Sequence, residues 1–265
     1  MKVIKLLTVY FVLMSYHVSL AEVTGFEKVD DPVVQKRLIN IKASFERLSE
    51  DEIKNYKEYK RKAIEANDNQ KYFTAAIAAN DALAIFKDDI DLLWLKGICH
   101  AQLDSLEDAV DYYEKALEIH PNHAPSLFNI VEIYFYHGKY EKAVEYITYI
   151  RQYLSSSGSK PLPLFDFKYL VILTHLAKTD PTTYSKDLEK MHEAYSYLDD
   201  NPFYYYANAL KELDLGNNNE GQVWIFKASK IFKNPQMIKV WNKVLEDSNF
   251  LAKHEIFIDL KPNKK

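Results

Sequence analysis

Small residues recur through the middle of this chain at a fixed interval of 34 positions, and that interval constrains the fold more than any other feature. Ala75, Ala109 and Ala143 stand in one row, Tyr72, Leu106 and Tyr140 in a second, and Ala82, Ala116 and Ile150 in a third; Tyr113 recurs as Ile147. A period of that length holds two short helices and a turn, and the small residue marks where two helix backbones approach closely. Hairpins are expected near 56–89, 90–123 and 124–157. Composition agrees, because six Gly and nine Pro leave little material for the turns of a sandwich or barrel, while 48% hydrophobic residues are ample for a core. The chain is expected to be all-α.

Within one period, Gly97, Ala109, Tyr113, Ala116 and Pro121 have a distinctive order, with Pro121 closing the second helix and Asn122 completing the turn. That spacing resembles the tetratricopeptide repeat family, most strongly over 90–123 and well in both neighbouring hairpins. The resemblance implies a right-handed α-solenoid of helical hairpins with N- and C-terminal capping helices.

The remaining chain is read around that centre. Residues 22–55 are expected to form an N-terminal helical cap and the start of the first hairpin, with Asp31-Pro32 opening a helix and Ser49 with Glu52 forming a capping box. Three regular repeats fill 56–157. The stretch "SSSGSKPLPL" predicts a loop insertion over 158–167. Two divergent repeats then occupy 168–234, taking Ala194 and Ala228 as equivalent, Met191 with Ile225, and His175 with Ala209. Apolar residues Met237, Val240, Trp241, Val244 and Leu245 predict a capping helix within 235–265.

At the N-terminus, Lys2 and Lys5 precede an apolar run from Leu6 to Met14, and small Ser19 and Ala21 follow. This pattern predicts a secretory signal peptide over 1–21, too short in its apolar run for a permanent membrane anchor. Export to the periplasm is the expected localisation. The formal charge is −4, and −6 without Lys2 and Lys5, with no concentrated basic face, so nucleic acid is not an expected partner. The single cysteine, Cys99, has no internal disulfide partner and reads as a small core residue.

In the family it resembles, the first helices of successive hairpins line a concave face that holds a polypeptide partner. Register places Lys60, Ile64 and Asn67 there in the first repeat, and Trp94, Ile98 and Ala101 in the second. The third repeat contributes Phe128, Glu132 and Phe135 with Tyr136 beside them, and the last contributes Tyr206, Leu210 and Leu213 with Phe203 nearby. The resemblance implies a non-catalytic scaffold in which aromatic residues, Trp94 and Phe128 foremost, anchor a protein or peptide. Some relatives clamp a terminal carboxylate on these helices. Lys60 suits one clamp position, but Ile64, Leu95 and Pro125 stand at others, so that set is absent.

Chemistry-bearing motifs are few. His120 and His123 flank a turn without a third ligand, and His192-Glu193 lacks the second histidine of a zinc-protease helix. No nucleophile elbow, phosphate-cradling glycine loop or paired-cysteine motif is present, so no catalytic residue, metal or cofactor is expected. The stretch "NPFYYYANAL" puts three tyrosines in succession, which helix geometry spreads around the axis. Together with Gly216-Asn217 it is similar to the last repeat of exported bacterial tetratricopeptide proteins. The alternative reading is a structural subunit or homo-oligomer of an envelope assembly that docks through this Tyr-rich repeat.

Overall fold

The computed structural model describes residues 31–156, 158 and 162–251; the signal peptide expected over 1–21 and the tail beyond 251 lie outside the described residues. Among the described residues the chain is all-helical, with twelve helices and no strand. They are α1 (Pro32–Phe45), α2 (Glu50–Asp68), α3 (Tyr72–Ile85), α4 (Ile90–Gln102), α5 (Leu106–Ile119) and α6 (Ala124–Tyr136). Then follow α7 (Tyr140–Ser156), α8 (Pro163–Thr179), α9 (Pro181–His192), α10 (Phe203–Asp214), α11 (Asn218–Ile231) and α12 (Pro235–Asp247). Two compact units result: unit 1 runs to Ile133 and takes in Thr148–Lys160, and unit 2 comprises Tyr134–Ile147 and the residues from Pro161 onward.

Helix starts follow local chemistry. Asp31 accepts from the Val33 backbone N–H at 2.7 Å, with Pro32 in the first turn where its missing N–H costs nothing. Ser49 and Glu52 close the expected capping box: Glu52 Oε2 accepts from the Ser49 N–H at 2.8 Å, and Ser49 Oγ accepts from the Glu52 N–H at 3.3 Å. Asp89, Asp180 and Asn234 cap α4, α9 and α12 with their side chains.

Helix ends show a device repeated five times. Gln70, Asp104, Gly138, Gly216 and Asn249 all have φ between +58° and +80°, and each follows a first helix or its equivalent. The residue after each donates its N–H five residues back: Lys71 to Ala66, Ser105 to His100, Lys139 to Tyr134, Asn217 to Glu212 and Phe250 to Leu245, at 2.8–2.9 Å. This is the left-handed helix stop that satisfies orphan carbonyls and turns the chain into its second helix. By this criterion α12 ends as a first helix does.

In unit 1, α2 packs on α3, α4 on α5, and α3 on α4. Ala75 and Ala109 are fully buried at the fourth position of their second helices, which permits the close approach. The cap helix α1 lies on α5, with Leu38 and Ile41 against Ala116 and Ile119. Phe45 meets Tyr56 and Phe86 edge-on at 5.3 and 5.0 Å.

In unit 2, α8 packs on α9 and α10 on α11. Its core is aromatic: the Phe167 ring lies 5.2 Å from Trp241 and 5.7 Å from Tyr206. Two expectations need correction here. Helix α8 begins at Pro163, so the loop expected over 158–167 gives way to helix in its second half, since proline suits a first helical turn as well as a loop. Ala194 lies past the end of α9 and is exposed, so it is not the counterpart of the fully buried Ala228. The small residue at the fourth position of a unit 2 second helix is Gly221, where a Cβ would stand 2.6 Å from Leu213 Cγ.

Candidate functional site

The register-derived residues fall into two groups once placed. Phe128 and Phe135 in α6, and Phe203 and Tyr206 in α10, are buried. Phe203 packs 4.3 Å from Tyr195, and the Tyr206 hydroxyl donates to Asn242 Oδ1 at 2.6 Å. These four are therefore removed from the partner-binding set, as are Ala101, Leu210 and Leu213, which are also buried. Periodicity assigns a residue to a helix face but does not say whether a neighbouring element covers it.

The second group keeps surface. Lys60, Ile64 and Asn67 on α2, and Trp94 and Ile98 on α4, are half-buried or exposed; Ile64 is the most open at 42%. Glu132 and Tyr136 on α6 are also half-buried. Tyr136 belongs to unit 2, where the Lys243 ammonium lies 5.7 Å from its ring centre.

A charged cluster fixes α2 relative to α4. Lys60 Nζ contacts Asp89 Oδ2 at 2.7 Å and Asp91 Oδ2 at 3.1 Å. Asp89 is nearly fully buried, caps α4 through the Leu92 N–H at 3.0 Å, and accepts from the Tyr56 hydroxyl. Burial opposes the Lys60 charge, but hydrogen bonding and attraction from Asp89, with Asp91 added, outweigh it and hold the ammonium above the ordinary lysine range. Burial, then the Asp89 carboxylate, pushes the Tyr56 phenol up as well. Lys60 is thus a structural tie rather than an open clamp for a partner's carboxylate.

Beside this tie stands Trp94, whose ring meets that of His123 edge-on at 6.5 Å. His123 Nδ1 is 2.8 Å from Ser126 Oγ in the first turn of α6. Burial, then the nearby His120, lowers its imidazole to about 4, with Asp91 acting the other way, so it is neutral at pH 7. The face therefore offers an indole edge-on to a neutral imidazole, with Ile98 one turn further along α4 and Ile64 exposed on α2.

Other candidate chemistry is accounted for. Cys99 is fully buried, and burial raises its thiol to about 12, which suits packing rather than nucleophilic attack. His120 and His123 have ring centres 6.5 Å apart, and among the described residues no group of three or more His, Cys, Asp or Glu is placed to hold a metal ion. Among the described residues no helix is long and apolar enough to cross a membrane.

Family models recognise the central hairpins. Two tetratricopeptide repeat family models match, one over residues 90–123 and one over 112–145. The first spans α4 and α5; the second begins inside α5 and reads across α6 into α7. A crystal structure of a tetratricopeptide repeat protein from Parabacteroides merdae is similar over 82% of this chain and 78% of that one, at 14% identity and a TM-score of 0.40. No curated protein matches. The hairpins belong to the α-solenoid class, and the repeats at 90–145 are of a kind that generally serves as a non-catalytic scaffold for protein interaction.

Proposed function

We propose that this protein holds a partner polypeptide against the first helices of unit 1, outside the cytoplasm, without acting on it chemically. The observation that supports the reading is Trp94: a large amphipathic ring, half-buried on α4, edge-on to His123 and carried by a helix whose start the Lys60–Asp89–Asp91 tie fixes against α2. A pre-set aromatic anchor loses little entropy on binding and suits a hot spot. Ile98, one turn along α4, and the exposed Ile64 on α2 add apolar surface to these first helices. The N-terminal sequence pattern, Lys2 and Lys5 before the apolar run Leu6 to Met14, supports export, with the periplasm as the proposed destination.

The test is photo-crosslinking from a benzoylphenylalanine placed at Ile98, with Lys115 on the exposed face of α5 as control. A partner joined at 98 and absent at 115 supports the reading; equal joining at both overturns it.

A second reading rests on the Tyr-rich region of unit 2. Tyr197 and Leu198 are 63% and 79% exposed, and the Tyr197 ring lies 6.1 Å from Tyr204, which with Tyr205 leans on Trp224. Self-association or assembly through this patch predicts a mass that rises with concentration and is lowered by Leu198→Asp.

A further inference from the structure

Unit 2 contains a cleft of about 790 Å³ that no sequence motif marks. It opens at the C-terminal ends of α8, α10 and α12, beside the first turns of α11. Each of those three ends is the negative pole of a helix, set against the single positive pole of α11.

The cleft already pairs a cation of the chain itself. Lys178 Nζ lies 2.5 Å from Asp214 Oδ1 and 5.2 Å from the Phe250 ring centre. His175 is stacked between Tyr140 at 4.4 Å and Phe250 at 4.6 Å, and burial lowers its imidazole, favouring the neutral form. With Asp214 neutralised by Lys178, the remaining charge in the lining is Glu246. Glu246 and the carboxamides of Asn218, Gln222 and Asn249 line the same space, and their side chains make no hydrogen bond to other described residues. The cleft therefore holds one open carboxylate and three open amide oxygens, with three negative helix poles against one positive pole.

We propose that this cleft is a binding site for an organic cation, a protonated amine or guanidinium with several N–H donors. It is separate from the unit 1 surface and does not depend on that reading. A carboxylate or phosphate ligand is disfavoured there by Glu246. The same chemistry has two sources, a free polyamine or the lysine or arginine side chain of a polypeptide.

The experiment is a titration of the isotope-labelled full chain, followed by amide NMR shifts, with spermidine, with a blocked Gly-Lys-Gly peptide and with blocked Gly-Glu-Gly as the anionic control. The expected result is saturable shifts at 175–178, 213–222 and 246–251 with one or both cationic probes, weakened at least tenfold by Glu246→Gln. Gln222→Leu, read in the same way, weakens them too and serves if Glu246→Gln fails to fold. Tighter binding of spermidine assigns a free polyamine, and tighter binding of Gly-Lys-Gly assigns a basic side chain. Absence of cleft shifts with both cations, equal shifts from Gly-Glu-Gly, or undiminished binding by the folded variants overturns the proposal.

Discussion

Gly97 lies directly against the ring of Tyr113: a Cβ added at position 97 would come within 2.3 Å of Tyr113 Cε1. The ring is fully buried and has no space to retreat into, so the α4–α5 hairpin closes only because one partner has no side chain.

Gly97→Ala is therefore predicted to destabilise the protein although alanine is the better helix former. Propensity favours alanine by about 1 kcal/mol, whereas overpacking costs about 1–3 kcal/mol. A net loss on the order of 1 kcal/mol should appear in urea unfolding. Gly97→Ala combined with Tyr113→Leu should cost less than the two single changes summed.

Ala109→Leu should also destabilise by about 1–3 kcal/mol, because Ala109 is fully buried in the helix contact. Ala194→Leu should leave the unfolding midpoint within about 0.5 kcal/mol of the parent, since Ala194 is exposed beyond α9. Equal effects from both would contradict the placement of the fourth hairpin.

The contrast between these two alanines shows what was legible beforehand. Ala75, Ala109 and Ala143 recur without an insertion between them, and a close helix contact tolerates few residue types, so the spacing carries the fold directly. After the Ser- and Pro-rich stretch the count is lost, and the small position is filled by Gly221 rather than by an alanine. The left-handed turns were hidden because only Gly138 and Gly216 of the five are glycine, while Gln70, Asp104 and Asn249 do the same work. Register puts Trp94 and Ile98 on the first-helix face of α4, where they keep surface, but the burial of Phe128 and Phe203 depends on tertiary neighbours. The unit 2 cleft joins polar residues from the ends of four helices, a pattern with no local period.

Asp89→Ala should be among the most damaging single changes in unit 1, with a loss of about 2–4 kcal/mol. It removes the α4 cap and leaves both the Tyr56 hydroxyl and the Lys60 ammonium without their shared acceptor. Lys60→Met should cost less, because Asp89 retains the Tyr56 and Leu92 bonds. Chemical denaturation of the two variants at pH 7 checks the order.

Mild acid should loosen unit 1 through His123. Its folded value is about 4, below the ordinary histidine value near 6.5, so between these limits the unfolded chain binds the additional proton. The stabilising contribution is complete above about pH 6.5 and is lost as pH falls to about 4, amounting to at most about 3 kcal/mol. Parent and His123→Gln unfolding followed from pH 7 to pH 4 should show a shallower decline in the variant.

The central claim, that the face around Trp94 receives a partner, is tested most directly by the affinity of the partner crosslinked at Ile98 for parent and Trp94→Ala protein, both shown to be folded. The account predicts at least tenfold weaker binding by the variant, about 1.4 kcal/mol, with binding by Leu198→Asp unchanged. Unchanged affinity for Trp94→Ala, with loss in Leu198→Asp, would contradict it and place the interface on the Tyr-rich surface of unit 2.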